Sequence, residues 1–314
     1  MNSISAKQLK AEAVDFTVRH ALVALEKGAT DKSILQYVNF LIRLTPIDQL
    51  SFLHVQPQID FWDDVEMERR LNEDTGAQLD ILQDLRKRTL ARLELKENTL
   101  TDFGIRQGSP LEELLQEAKV LDVDLIITGL STQRGAHGIL PKVLARHASC
   151  NTLIVPDLSQ ASITNILVPI DFSENSAKAL HTAVAINNDL TLPASITCVH
   201  VYDMPDMNWY RIQRTEDEFR KLLEENRKEA LDKFLKKEIP EYHDRIETRL
   251  VPKMKPSIGS SIMDIVDEEG ADLIIMGARG HSQIERLLMG SVTEKVLALT
   301  SHVPVLVVKA SETD

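Results

Sequence analysis

The stretch best able to do chemistry is Gly277-Ala278-Arg279-Gly280, followed nine residues later by Gly290-Ser291-Val292-Thr293. Gly277 closes the apolar run Leu273 to Met276, which predicts a strand end, the edge where open α/β sheets bind ligands. From Ser291 onward Val292, Val296, Leu297 and Leu299 predict a helix, so Gly290-Ser291 opens it. The free N–H groups and dipole of such a helix start favour an anion. Glycine lets the backbone approach a phosphate, Ser291 and Thr293 offer hydroxyl donors, and Arg279 offers charge. The opposite wall is expected from Pro169-Ile170-Asp171, where a carboxylate accepts hydrogen bonds from an amino or hydroxyl group. Other chemistries lack their residues. No Gly-Lys-Ser/Thr follows the glycines, and neither Cys-x-x-Cys nor His-Glu-x-x-His occurs. A catalytic set and a metal site are therefore not predicted.

The elements that position these residues occur twice. Leu22-Val23-Ala24-Leu25-Glu26 matches Leu167-Val168-Pro169-Ile170-Asp171, and Leu53-His54-Val55 matches Val199-His200-Val201. Asp124 to Gly129 matches Asp272 to Gly277, and Leu153-Ile154-Val155 matches Val305-Leu306-Val307. The separation drifts from 145 residues (167 − 22) to 152 (306 − 154), as insertions in loops would make it. Trp62 and Trp209 correspond as well. The junction is the polar stretch 156–162, which divides the chain into domains 1–157 and 158–314.

Within each copy short apolar runs alternate with helical patterns, which predicts βαβ units and a parallel sheet covered on both faces. Five strands are expected per copy, near 21–25, 50–55, 102–106, 125–128 and 152–155, then near 166–170, 195–201, 246–251, 273–276 and 304–308. The clearest helix is Thr215 to Lys237, with Phe219, Leu222, Leu223, Ala230, Leu231, Phe234 and Leu235 at a 3.6 period. Ser109-Pro110-Leu111-Glu112 reads as a capping box. Composition narrows the classes. With 36 Lys plus Arg against 48 acidic residues the net charge is −12, which repels nucleic acid. No apolar run is long enough to span a bilayer, and Cys150 and Cys198 give no disulfide framework, so a cytoplasmic place is expected.

The pattern G-x-x-G-x9-G-[ST], after a first strand ending in Pro-x-Asp, resembles the ATP-binding branch of the universal stress protein family. Each copy is similar to that family along nearly its whole length. The resemblance implies two tandem Rossmann-like (adenine nucleotide alpha hydrolase-like) domains, each a five-stranded parallel sheet with helices on both faces. It implies ATP with Mg²⁺ in the second domain. Asp171, Val201 and the backbone of Pro169 and Ile170 would meet the base and ribose. Met276 and Gly277 would border the ribose, with Arg279, Gly280, Gly290, Ser291, Val292 and Thr293 toward the phosphates. It also implies an internal pseudo-dimer through the last strands 152–155 and 304–308, with a homodimer of whole chains left open.

The first copy departs from the pattern. Glu26 replaces the aspartate, Thr132 replaces the second glycine, and Leu140-Pro141 stand near the hydroxyl pair. Its loop is four residues shorter (Gly129–Ser149 against Gly277–Ser301), although Gly135 and Gly138 remain. One nucleotide per chain is the expectation. Three functions fit: an ATP-responsive regulatory module in the stress response, a weak ATPase or phosphotransfer enzyme, or a nucleotide-free scaffold. The enzyme reading lacks a general base in the motif, because Glu294 falls in a helix's first turn. His54 and His200 are expected to serve packing, since the first copy keeps its histidine without the motif.

Overall fold

The computed structural model describes residues 16–57, 67–132, 138–204, 216–280 and 289–309. Trp62, Trp209, Gly135 and the helix start at Arg214 and Thr215 lie outside them. The N-terminal half runs β1 (His20–Ala24), α1 (Thr30–Leu44), β2 (Gln49–Gln56), α2 (Met67–Leu90), β3 (Leu100–Gln107), α3 (Pro110–Val120), β4 (Leu125–Leu130), α4 (Ile139–His147) and β5 (Asn151–Pro156). The C-terminal half repeats it as β6 (Asn165–Pro169), α5 (Glu174–Asp189), β7 (Ser195–Tyr202), α6 (Glu216–Glu238), β8 (Glu247–Pro252), α7 (Ile258–Glu269), β9 (Leu273–Gly277), α8 (Ser291–Leu299) and β10 (Val305–Val308). The two halves are tandem Rossmann-like units.

The ten strands make one sheet, ordered β3-β2-β1-β4-β5-β10-β9-β6-β7-β8. Every pair inside a half is parallel, as strands joined through helices must be. The one antiparallel pair is β5 with β10, where Val305 faces Ile154, Leu306 faces Leu153 and Val307 faces Thr152. The inner strands β4, β9 and β10 are buried throughout, which is why they read as unbroken apolar runs. The outermost strands, β3 and β8, are half exposed.

Matching hydrogen bonds fix the same start to each half. Asp124 Oδ2 accepts from the Arg19 and His20 amides at 2.8 and 2.9 Å, and Asp272 accepts from those of Thr164 and Asn165 at 2.8 and 3.1 Å. The junction is pinned onto α1, where Ser33 Oγ donates to the Asp157 carbonyl at 2.9 Å and Tyr37 Oη to that of Gln160 at 2.5 Å. The amphipathic helix expected near the C-terminal half's second crossover is present as α6, with Leu231 and Leu235 buried and Leu222 exposed. One local expectation needs correction. Ser109 precedes α3 with Pro110 in its first turn, yet its hydroxyl makes no capping bond.

A glycine stands at the end of β9 and one residue before the end of β4 for the same reason. A Cβ on Gly129 would stand 2.6 Å from Thr30 Cβ, and one on Gly277 would stand 2.6 Å from Asn175 Cβ. The first helix of each half therefore rests directly on that strand end. Gly129→Ala should destabilise the protein by about 1–3 kcal/mol through overpacking, read as a lower urea midpoint. An unchanged midpoint would show that this approach is slack.

Candidate functional site

The order reverses between β6 and β9, and their carboxyl ends open a cavity of about 220 Å³. The structure brings all twelve residues singled out from the sequence to its lining. Pro169, Ile170 and Asp171 come from the end of β6, Val201 from β7, and Met276 and Gly277 from β9. Arg279 and Gly280 follow β9, while Gly290 to Thr293 carry the chain into α8. The sequence reading missed Ser176, Val199, Ile258 and Ile262, which complete the wall. Ile258 and Ile262 lie one turn apart on α7, behind Ser257, which caps that helix by accepting from the Ser260 amide. Serine before an i, i+4 apolar pair is a helix signal that could have revealed them.

Asp171 is held by its own turn. Its Oδ1 accepts from the Ser173 amide at 3.0 Å and from the Ser173 hydroxyl at 2.5 Å. Ser173 in turn caps α5 by accepting from the Ser176 amide. Phe172, between them, takes φ 67°, and Lys27 at the same place in the other half takes φ 59°. A left-handed turn of an L residue costs energy, and here it sets the carboxylate at the cavity wall. The other oxygen, Oδ2, faces Gly280, where a Cβ would stand only 2.5 Å away. An acid at 171 and a residue without a side chain at 280 therefore require each other.

The helix start presents its backbone. Gly290 precedes α8 with extended φ and ψ, and its amide donates to the Ala278 carbonyl at 2.9 Å. A Cβ there would lie 3.4 Å from the Gly280 nitrogen, so the two glycines line a common passage. Thr293 corrects one expectation. Its buried hydroxyl donates to the Gly277 carbonyl at 2.9 Å, so that proton is committed to the fold and is not aimed at a ligand. Ser291 remains beside the cavity with Arg279, whose side chain is exposed.

Under the first wall lies His200. Its Nδ1 bonds the Ile170 carbonyl at 2.8 Å, as His54 Nδ1 bonds that of Leu25 in the other half. The shared bond fixes the chain just before the acid in each half, so the histidines tie adjacent strands together as expected. The His200 ring packs on Phe172, centroids 4.5 Å apart, and its buried Nε2 has no partner among the described residues. Burial, then the Arg227 charge, holds its pKa below the ordinary 6.5 despite the Ile170 bond and Asp171. Burial raises the Cys198 thiol far above its usual range and pushes Cys150 up to about 11, which disfavours the thiolate at both.

The N-terminal half builds the same frame and fills it. Gly138 precedes α4 as Gly290 precedes α8, which sets Ile139 and Pro141 opposite Ser291 and Thr293. That corrects the expected Leu140-Pro141 pair by one residue. Leu130, standing where Ala278 stands, packs its side chain against Gly138. Thr132, in Gly280's place, turns its hydroxyl to Asp157 Oδ1 at 2.6 Å. Burial and the neighbouring Asp31 raise the Glu26 carboxyl above its usual range. Leucine at 130 against alanine at 278 is the signal of this filling that the repeat alignment carries.

A sequence profile of the universal stress protein family matches residues 162–309. A universal stress protein of Methanocaldococcus jannaschii is 32% identical over 144 residues, which span 46% of this chain and 81% of that one. A second from the same organism is 31% identical over 159 residues, spanning 46% of this chain and 93% of that one. The solved universal stress protein of Archaeoglobus fulgidus superposes over 94% of this chain and 97% of its own with TM-score 0.61. At 17% identity that likeness shows the fold alone.

His200 also makes stability depend on pH. The fold prefers its neutral form, so its contribution is full above pH 6.5, the unfolded value, and is lost as pH falls below it. Between pH 7 and 5, wild type should lose more urea stability than His200→Asn, whose amide keeps a donor near the Ile170 carbonyl. Parallel losses would show that His200 titrates normally.

Proposed function

Because the chain belongs to the universal stress protein family, we propose that its C-terminal half binds ATP and serves as a nucleotide-responsive module in the stress response. The observation that carries this is the meeting of Asp171, the glycine-lined passage between residues 280 and 290, and the α8 N-terminus in one cavity. The first makes hydrogen bonds to a base or ribose, the second clears space, and the third supplies amides and positive potential to phosphates.

The cavity matches part of a nucleotide in size and chemistry. A volume of about 220 Å³ lies below the roughly 300 Å³ at which pockets enclose drug-sized ligands. It suits a base and ribose, with the phosphates running out over the α8 start. Val199, Val201, Ile258, Ile262 and Met276 give the apolar walls that a purine needs. Mg²⁺ arrives with the triphosphate, held by phosphate oxygens and water. Of the twelve residues Asp171 alone carries a carboxylate, and one of its oxygens is engaged by Ser173, so the reading is a binder with at most slow hydrolysis.

Domains 1–157 and 158–314 form an internal pseudo-dimer across β5 and β10 in this reading, and the cytoplasm suits its two free thiols. In this reading the N-terminal half takes no nucleotide, since Leu130 packs against Gly138 where Ala278 leaves room beside Gly290, and Glu26 and Thr132 replace Asp171 and Gly280.

Titration calorimetry with ATP–Mg should give one site per chain. Two sites would overturn the reading of the N-terminal half, and none would overturn the function. Gly290→Val should weaken binding at least tenfold, about 1.4 kcal/mol, by covering the Gly280 amide. A folded variant with unchanged affinity would refute the site.

A further inference from the structure

One side chain of the N-terminal half reaches the α8 end of this cavity. Arg146, in the last turn of α4, pairs with Glu294 Oε2 at 2.9 Å, in the first turn of α8. The Arg146 carbonyl accepts from Lys309 Nζ at 3.0 Å, and the Lys309 amide donates to Asn151 Oδ1 at 3.0 Å. Burial and the Arg279 charge hold the Lys309 ammonium down to about 8. Of these cations Arg146 is the one paired with Glu294, and Lys309 stands behind it on the Arg146 carbonyl.

The place of Glu294 makes that pairing matter. Its amide closes the first turn onto the Gly290 carbonyl at 3.0 Å, which places it in the turn that follows the cavity-lining residues Gly290 to Thr293. A carboxylate in a first turn and a phosphate at the same helix start draw on one positive potential. Unpaired, Glu294 repels a polyphosphate, and the repulsion grows with each phosphate charge. Paired, it is neutralised, and the helix end is left to the ligand. Arg146 Nε is buried without a partner among the described residues, so the pair with Glu294 is the polar contact that orients the guanidinium.

We propose that Arg146 is a positioning residue for the site in the other half, neutralising Glu294 so that the α8 N-terminus accepts a polyphosphate in preference to an uncharged nucleoside. The proposal rests on the nucleotide reading above. It gives the N-terminal half a part in binding although its own cavity is filled.

Calorimetry on the full chain with ATP, ADP and adenosine at low salt tests it, using Arg146→Gln, Glu294→Gln and the double variant. Arg146→Gln should raise the ATP Kd about fivefold, the size of a helix-end charge effect, raise that of ADP less, and leave adenosine unmoved. The double variant should return ATP affinity to near the wild-type value. Equal losses for ATP and adenosine, an unchanged ATP Kd, or no rescue in the double variant would each overturn the proposal. Should Arg146→Gln not fold, Glu294→Gln decides alone. ATP affinity kept or tightened supports the proposal, and ATP affinity weakened overturns it. Wild-type protein that binds none of the three ligands would sink the nucleotide reading itself, which separates the two failures.

Discussion

The antiparallel pairing of β5 with β10 is the constraint on which the rest of the molecule depends. Each half ends in a strand whose side chains are apolar on both faces, and an unpaired edge of that kind recruits another chain. Joining the two edges buries Leu153, Ile154, Val305, Leu306 and Val307 together, each side chain contributing about 1.5–3 kcal/mol. The seam also has a geometric result. It sets α4 beside α8, so the helix that opens the cavity in one half touches the other half through Arg146 and Glu294.

The two halves separate scaffold from site. Both keep the aspartate that ties down the first strand, the histidine bonded to the carbonyl before the acid, the left-handed residue after it, and the glycine under the first helix. These devices hold a sheet end in shape whether or not anything binds there. What differs is confined to the side chains that fill or clear the cavity. Leu130 against Ala278, Thr132 against Gly280 and Ile139 against Ser291 change volume and polarity at one spot and leave the frame intact. Substitutions of that kind can close a cavity without threatening stability, because a filled cavity packs better than an open one.

The ten strands were legible because parallel strands buried on both faces are short apolar runs, and a repeat lets each run check its partner. Pro169 to Asp171, Val201, Met276 and Gly277 were legible for the same reason, at runs the repeat aligns, whereas Arg279, Gly280 and Gly290 to Thr293 were legible from the glycine spacing before a helical pattern. Other features were hidden in side-chain geometry. Thr293 looks like a phosphate donor by type, and only its distance to the Gly277 carbonyl shows where its proton goes. Ser109 has the spacing of a capping box, yet no bond forms, because spacing alone does not set the hydroxyl's direction. Arg146 carries no motif at all. Its part in the site follows from the seam, which joins residues about 150 positions apart in sequence.

A covalent tandem permits what two identical chains would not. In a symmetric pair every substitution appears on both sides of the seam, so a residue that fills one cavity fills both. Within one chain Leu130 can fill the N-terminal cavity while Ala278 leaves the other open. Arg146 can then face Glu294 across the seam, while its counterpart position on α8 is Ala298, which returns no matching charge. The asymmetry is therefore encoded residue by residue. It leaves the N-terminal half with a charge, Arg146, that faces α8 with no mirror-image partner across the seam.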